Sequence, residues 1–161
     1  MKKRPWKSDS FIRTGLRHTD RSQPCQDYVI VDSTRGAALC DGISRSIQSE
    51  KASQIAAKET IAFCREIVGD KLLVKDLISS TDKSKEACQS VCEELAKRIK
   101  LKLTNYPQAD STLAFMYMLT DRYAIIGYIG DSAVIVISDT NAKVFTQTRD
   151  YGGPTESIAH N

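Results

Sequence analysis

The sequence predicts an α+β fold, an αββα-type sandwich in which two mostly antiparallel sheets pack face to face and helices flank them. Two observations carry this prediction. The elements come in the order hairpin, two amphipathic helices and a run of four strands. Several of the last strands are apolar on both faces, so each face needs a covering layer. The length of 161 residues suits one domain with its own hydrophobic core.

Short β-type segments open the chain. After an apolar run at residues 11–16, residues 28–31 and 37–40 are rich in apolar and β-branched side chains. Residues 33–36 between them carry the Ser, Thr and Gly of a turn. A connection this short makes the two strands antiparallel neighbours, so the sequence predicts a β-hairpin.

Two long amphipathic helices are predicted next, each with one apolar face. The first covers residues 49–68, and Gly69 followed by Asp70 gives a stop signal. Its apolar stripe comprises Ala52, Ile55, Ala56, Phe63 and Ile67, flanked by Ala57, Ile61, Cys64 and Val68. The second covers residues 82–103, with inward positions at Cys88, Val91, Cys92, Leu95, Ile99 and Leu103.

Four strands follow the helices, at residues 111–119, 123–129, 133–138 and 144–148. Their connections contain Asp, Asn, Gly, Ser and Thr, which are typical of tight turns. Consecutive strands with such short connections are antiparallel, so this half of the chain is predicted to be a β-meander.

The net charge of +3 comes from the first ten residues, where four Lys and Arg side chains outweigh one Asp. A domain without clustered positive charge is a poor match for nucleic acid. Residues 1–10 are predicted to be a flexible basic N-terminus, and residues 11–161 the domain. No apolar run approaches the ~18–20 residues of a membrane span and no signal-peptide core follows the basic start, which favours a cytoplasmic protein without membrane contact.

The five cysteines are odd in number and lie in apolar surroundings. This pattern is typical of reduced intracellular thiols and not of a disulfide framework. Cys88 and Cys92 share a helical face, but a zinc site would need further Cys or His at ligand spacing. Both are therefore predicted to be small buried side chains.

Two aspartates lie at the open end of the predicted hairpin. A turn centred at residues 34–35 places Asp27 and Asp41 opposite each other or one residue out of register. Cross-strand neighbours are ~5 Å apart, and two carboxylates that close repel unless a cation lies between them or one keeps its proton. Oxygen ligands without His or Cys favour Mg²⁺ or Mn²⁺, with the Gly42 carbonyl or a water in the same shell. The alternative is that Asp41 and Gly42 simply make a turn.

Six short motifs follow one another along the chain. They are Gly15-Leu16-Arg17-His18 leading to Pro24-Cys25-Gln26-Asp27, Leu39-Cys40-Asp41-Gly42, Ser49-Glu50-Lys51-Ala52-Ser53, Asp110-Ser111-Thr112-Leu113, Tyr128-Ile129-Gly130-Asp131-Ser132 and Phe145-Thr146-Gln147-Thr148-Arg149-Asp150. Each is weak alone. Together, in this order, they resemble the motifs of the protein phosphatase 2C family, and most of all its bacterial-type branch.

The resemblance implies a metal-dependent protein serine/threonine phosphatase, which hydrolyses phosphoserine and phosphothreonine with a water that bridges two divalent ions, Mn²⁺ or Mg²⁺. By position, Asp27 would be a metal ligand, Asp41 would bridge both ions, and Gly42 would ligate through its carbonyl. Asp131 would approach a third, weaker metal position. The implied partner is a phosphoprotein substrate, with a Ser/Thr kinase as the opposing enzyme.

An arginine is expected to hold the substrate phosphate, because its planar guanidinium matches two phosphate oxygens. Many family members carry it a few residues before the first metal aspartate, where Arg17 and Arg21 are both candidates. A solvated surface arginine is the alternative for each. His18 is interpreted as a structural hydrogen-bonding residue without a catalytic role.

The chain departs from the family pattern in two places. Ile43-Ser44-Arg45 follows the Asp-Gly pair, where the family commonly has small residues and some relatives a histidine proposed as general acid. The family's later S-D-G and D-N segments, which complete the metal shells, do not occur here. The sequence is thus expected to be the N-terminal part of the domain, lacking the C-terminal strands and binding metal weakly. A catalytically inactive phosphatase-like binding or regulatory module is the alternative.

Overall fold

A computed structural model of the chain describes residues 10–12 and 24–146. It confirms the predicted α+β class, with two antiparallel sheets and three α-helices in this part of the chain. In chain order the elements are β1 (Tyr28–Asp32), β2 (Gly36–Cys40), α1 (Ser49–Gly69), α2 (Lys71–Leu77), α3 (Asp82–Lys102), a 3₁₀ turn (Leu103–Asn105), β3 (Leu113–Met118), β4 (Ala124–Ile129), β5 (Ala133–Ile137) and β6 (Ala142–Thr146).

The strands form one sheet of four and one ribbon of two. The larger sheet has the order β1-β2-β3-β4, and every neighbouring pair is antiparallel. The predicted hairpin is therefore confirmed. The predicted four-stranded meander is confirmed only for the pairs β3–β4 and β5–β6, because β4 and β5 belong to different sheets and the connection between them carries the chain from one sheet to the other. Of the apolar run at residues 11–16, only Phe11 and Ile12 lie among the described residues, and they are not in a strand.

The hydrophobic core lies between α1 and one face of the four-stranded sheet. Side chains alternate along a strand, and Ala38 and Cys40 of β2 lie on the same face as Phe115 and Tyr117 of β3. All four are buried, and α1 packs against β1, β2 and β3. The predicted stripe of α1 is confirmed, and its small residues let the helix approach the sheet closely: Ala52, Ala56 and Ala57 are fully or almost fully buried.

The other two helices pack on α1 and not on the sheet. Burial in α3 follows a single row, Val91, Leu95 and Ile99. The prediction that Cys88 and Cys92 are buried was wrong, because both are exposed. The row that reaches the neighbouring helices begins at Val91 and is narrow, so the two thiols lie outside it.

The short helix α2 was not among the helices predicted from the sequence. Gly69 belongs to α1 and does not adopt the left-handed conformation of a glycine stop; among the described glycines only Gly130 has a positive φ. The next residue ends α1 and also caps α2, because the Asp70 side chain accepts hydrogen bonds of 3.0 Å from the N–H groups of Leu72 and Leu73. An aspartate followed by an apolar-rich segment was the available signal.

The ribbon of β5 and β6 contacts β3 and β4 of the larger sheet. Large apolar side chains of the ribbon remain open to solvent, including Ile135, Ile137 and Val144. Of the helices in the described part, α1 packs on β1, β2 and β3 of the larger sheet, and none packs on the ribbon. None of them is both long enough and apolar enough to span a bilayer.

A buried carboxylate links the turn of the hairpin to the rest of the fold. Asp32 is 8% exposed. Its Oδ1 accepts hydrogen bonds from the N–H (3.1 Å) and the hydroxyl (2.7 Å) of Thr34. Its Oδ2 accepts from Arg65 Nε on α1 (2.9 Å) and from the Tyr117 hydroxyl on β3 (2.8 Å). Burial acts to raise the pKa of Asp32, but these hydrogen bonds outweigh it and hold the pKa well below its usual value.

Replacing Asp32 by Asn should destabilise the chain by about 1–3 kcal/mol at pH 7, because charge-assisted hydrogen bonds to a buried group are lost. A lowered folded-state pKa stabilises above the unfolded-state pKa of about 3.9, and this stabilisation is lost as the pH falls below it. The difference in free energy of unfolding between wild type and Asp32→Asn, measured in urea, should therefore shrink below pH ~4.

The control for this experiment is Asp82→Asn. Within residues 24–146, Asp82 pairs with Lys85 on the surface of α3, where both side chains are highly exposed. The loss of such a pair costs under about 1 kcal/mol. Equal free energies of unfolding for Asp32→Asn and wild type at pH 7 would show that the charge of Asp32 does not stabilise the fold.

Candidate metal centre

The hairpin register brings Asp27 and Asp41 face to face. β1 and β2 are paired along their whole length, and the ladder continues beyond them, where the Gly42 N–H donates to the Gln26 carbonyl at 3.2 Å. Asp27 and Asp41 occupy the position between these pairs, so the predicted opposition is confirmed. Hydrogen-bonded pairs alternate with non-hydrogen-bonded ones, and the latter bring side chains closer, with Cα atoms ~4.5 Å apart.

The peptide before Asp27 is fixed by α1 and by the end of β2. The Gln26 carbonyl accepts from the Ser53 hydroxyl at 2.5 Å as well as from the Gly42 N–H. A side chain at Gly42 would not fit, because its Cβ would lie 2.6 Å from the Gln26 oxygen and 3.0 Å from the Cβ of Ser49. The close approach of these backbones thus requires glycine after Asp41.

The backbone of Asp41 is held on both sides by the start of the third strand. Its N–H donates to Thr112 Oγ1 at 3.2 Å. Its carbonyl accepts from the Thr112 N–H at 2.9 Å and from the Ser111 hydroxyl at 3.0 Å. One residue further along, the Ile43 N–H donates to the carbonyl of the buried Asp110 at 3.1 Å. These contacts leave mainly the Asp41 side chain free to rotate.

The fourth predicted residue, Asp131, reaches the site from the connection between β4 and β5. It follows Gly130, whose φ of 86° favours glycine. The next residue, Ser132, has its Oγ 2.8 Å from Thr112 Oγ1. The turn that carries Asp131 is therefore joined to the group that holds Asp41.

Two further carboxylates lie near the Asp41 carboxyl, and the pKa of Asp41 rises to about 6. Partial shielding of the carboxyl from water is the largest cause, followed by a hydrogen bond with the Asp27 carboxyl and the charges of Asp27 and Asp131. Asp27 and Asp41 are thus close enough to share a proton. A divalent cation would relieve the same repulsion.

The residues at this point fit a hard divalent cation. The donors are carboxylate oxygens and a backbone carbonyl, without Cys or His among them, as Mg²⁺ and Mn²⁺ prefer. The Ser49 side chain lies close to Gly42, and its buried hydroxyl has no hydrogen-bond partner among the residues that the structure describes. Within residues 10–12 and 24–146, no three Cys, His, Asp or Glu side chains lie close enough to bind an ion by themselves, so water would supply further ligands.

The structure brings together Asp27, Asp41 and Gly42, with Asp131 near enough to act on Asp41 through its charge. Their metal-binding roles remain predictions. The two candidate phosphate-binding residues, Arg17 and Arg21, lie outside the described residues. The hydroxyls of Ser111, Thr112 and Ser132 were not predicted to take part; their signal was a Ser or Thr next to each aspartate-bearing motif.

Gly42→Ala should destabilise the chain by about 1–3 kcal/mol, because the new methyl group meets the backbone oxygen of Gln26. The matched control is Gly69→Ala, where a Cβ would meet nothing within 4 Å at the end of a helix, and which should be neutral or stabilising by up to about 1 kcal/mol. Urea unfolding of both variants measures the difference. A Gly42→Ala chain as stable as Gly69→Ala would contradict the close backbone approach.

Asp41→Asn should stabilise the metal-free chain above pH 6 and have little effect near pH 4. A carboxyl whose pKa is raised in the folded state binds its proton more tightly there, so stability falls as the pH rises from about 4 through about 6. Thermal unfolding in EDTA from pH 4 to pH 8 is the measurement, with the highly exposed Asp82→Asn as the control. A lower midpoint for Asp41→Asn than for wild type at pH 8 would show that the carboxylate stabilises the fold.

A comparison with known protein families agrees with the motifs. The family model described as protein phosphatase 2C matches residues 14–161. Among solved structures, the chain is similar to the serine/threonine phosphatase PstP of Mycobacterium tuberculosis, with 19% sequence identity and a TM-score of 0.44. The match covers 77% of this chain and 48% of that one, so the chain spans about half of that protein's length.

No curated protein matches the sequence closely. The family model, however, covers far more than half of the chain, and its span includes all four residues predicted to bind metal. The chain belongs to the protein phosphatase 2C family.

Proposed function

We propose that the chain is part of a metal-dependent protein phosphatase that hydrolyses phosphoserine and phosphothreonine. The observation that supports this most directly is the pair of facing aspartates at the end of the hairpin, with the Gly42 carbonyl beside them. In a chain of this family, such a group of hard oxygen donors has a chemical use, which is to hold Mn²⁺ or Mg²⁺.

Asp27, Asp41 and the Gly42 carbonyl would hold the ions, with Asp41 between two of them and Asp131 at a third, weaker position. When bound, divalent ions lower the pKa of water and neutralise charge on a phosphoryl group. The protein's own contribution is to fix the Asp41 backbone through Thr112 and to keep Asp27 opposite it. A backbone fixed in this way limits the reorganisation that binding requires.

The substrate phosphate would be bound by Arg17 or Arg21, in line with the guanidinium geometry that phosphate recognition favours. Next to the aspartate pair, Ile43 cannot donate a proton. The serine or threonine leaving group would therefore take its proton from water. The substrates would be phosphoproteins made by an opposing Ser/Thr kinase, and the site of action the cytoplasm.

A binding module without turnover is the second candidate. The observation in its favour is that no three ligand-type side chains among the described residues are close enough to form a metal site. Such a module would bind a phosphoprotein or a partner through the same face without hydrolysing it. Metal binding and hydrolysis, measured separately, distinguish the two functions.

The deciding experiment measures hydrolysis of p-nitrophenyl phosphate and of a phosphothreonine peptide with and without Mn²⁺. We expect slow hydrolysis that requires Mn²⁺ and stops in EDTA. Asp41→Asn should lower the rate by at least ~100-fold, equivalent to about 2.7 kcal/mol of barrier, and Arg17→Ala or Arg21→Ala should mainly raise KM.

Asp82→Asn is the control for charge removal, because the Asp82 side chain is highly exposed on α3, a helix that packs on α1 and not on the sheet. Calorimetric titration of the same proteins with Mn²⁺ measures metal binding separately from hydrolysis. Equal Mn²⁺ affinity for Asp41→Asn and wild type would remove Asp41 from the site. Mn²⁺ binding without hydrolysis of either substrate would favour the binding module.

A further inference from the structure

We propose that Thr112 and Ser132 act as a pair of positioning residues, which tie the Asp41 backbone to the turn that carries Asp131. The proposal rests on the proposed function, since its purpose is to align the carboxylates of a metal centre. It begins from the contact between the two hydroxyls, whose oxygens are 2.8 Å apart although the residues are twenty positions apart in sequence.

The Thr112 hydroxyl lies at the middle of this link. Its oxygen accepts the Asp41 N–H at 3.2 Å and contacts the Ser132 oxygen at 2.8 Å. Thr112 is 2% exposed, so little water is available to replace either bond. A β-branched side chain has few χ1 rotamers, and a buried one fixes the direction of its hydroxyl. The Asp41 N–H therefore has an acceptor whose position depends on the packing of Thr112.

The link counteracts a repulsion between the segments that it joins. The charges of Asp131 and Asp27 both act on Asp41, and without a cation these carboxylates tend to move apart. The backbone of Asp41 is fixed by Thr112, and Ser132 is the residue that follows Asp131. The hydroxyl contact thus holds two like-charged segments together before any ion binds.

Residues that position metal ligands influence the affinity of the site for its metal ion. Residues that orient the ligands without touching the ion typically change its affinity 10–100-fold when they are replaced. Ser132 and Thr112 act in series in this arrangement. Removing Ser132 leaves the Thr112 hydroxyl less constrained, while removing the Thr112 hydroxyl breaks both contacts.

The first measurement is the rate of amide hydrogen exchange at Asp41 in the metal-free chain, monitored by NMR. Thr112→Val removes the acceptor while preserving shape, and should speed exchange at Asp41 at least ~10-fold; Thr112→Ser keeps the hydroxyl and should stay close to wild type. Ser132→Ala should have an intermediate effect. Unchanged exchange at Asp41 in Thr112→Val would overturn the proposal.

The second measurement is Mn²⁺ affinity by calorimetry. We expect Thr112→Val and Ser132→Ala each to bind ~10-fold more weakly or worse, and the double variant to resemble Thr112→Val because the two act in series. Thr112→Ser should remain within ~3-fold of wild type. The proposal would be overturned if Ser132→Ala bound Mn²⁺ as tightly as wild type, or if the losses of Mn²⁺ affinity in the two single variants added fully in the double variant.

Ser138→Ala is the matched control. The Ser138 hydroxyl also makes a hydrogen bond at a turn, donating to the Asn141 carbonyl at 3.1 Å, but at the far end of the ribbon. It should change neither readout. If wild type itself does not bind Mn²⁺, the proposed function fails, while exchange at Asp41 still decides whether Thr112 and Ser132 position that residue.

Discussion

The buried carboxylate of Asp32 fixes the hairpin register on which the candidate metal centre depends. It joins the hairpin turn to α1 through Arg65 and to β3 through Tyr117. A slip of one residue between β1 and β2 would turn every side chain of one strand to the opposite face. Asp32 would then lose these donors inside the core, at a cost of several kcal/mol, and Asp27 would no longer face Asp41. The contact at one end of the hairpin thus specifies the arrangement at the other.

Backbone contacts also hold the open end of the hairpin in place. Gln26, Asp41 and Gly42 are held by one another, by α1 and by the start of β3. Hydrogen bonds of this kind leave the carboxylate groups uncommitted. A rigid backbone with unsatisfied side-chain charge lowers stability locally, which is the usual cost of a prepared binding site.

Most of the fold could be predicted because its signals are local. Alternating apolar residues and tight turns define the strands, and the turn at residues 33–36 sets the register that brings Asp27 opposite Asp41. What could not be predicted depends on distant neighbours. The role of Asp32 requires Tyr117, which is 85 residues away, and the exposure of Cys88 depends on where α3 meets the other helices. At Asp70 the local signal was interpreted only as a helix end, although an aspartate before an apolar-rich segment also indicates the cap of a new helix.

Asp32 and Asp41 belong to the same hairpin, and their pKa values shift in opposite directions. At Asp32 the hydrogen-bond donors of the protein satisfy both carboxylate oxygens and hold the pKa low. The Asp41 carboxyl is partly buried and has two further carboxylates near it, so its pKa rises to about 6. The fold therefore supplies hydrogen-bond donors to the Asp32 carboxylate, whereas the Asp41 carboxylate still needs a positive charge near it. A carboxylate that the protein itself does not neutralise is the one expected to bind something else, and this difference, more than the presence of aspartate, separates the candidate metal centre from the structural contact.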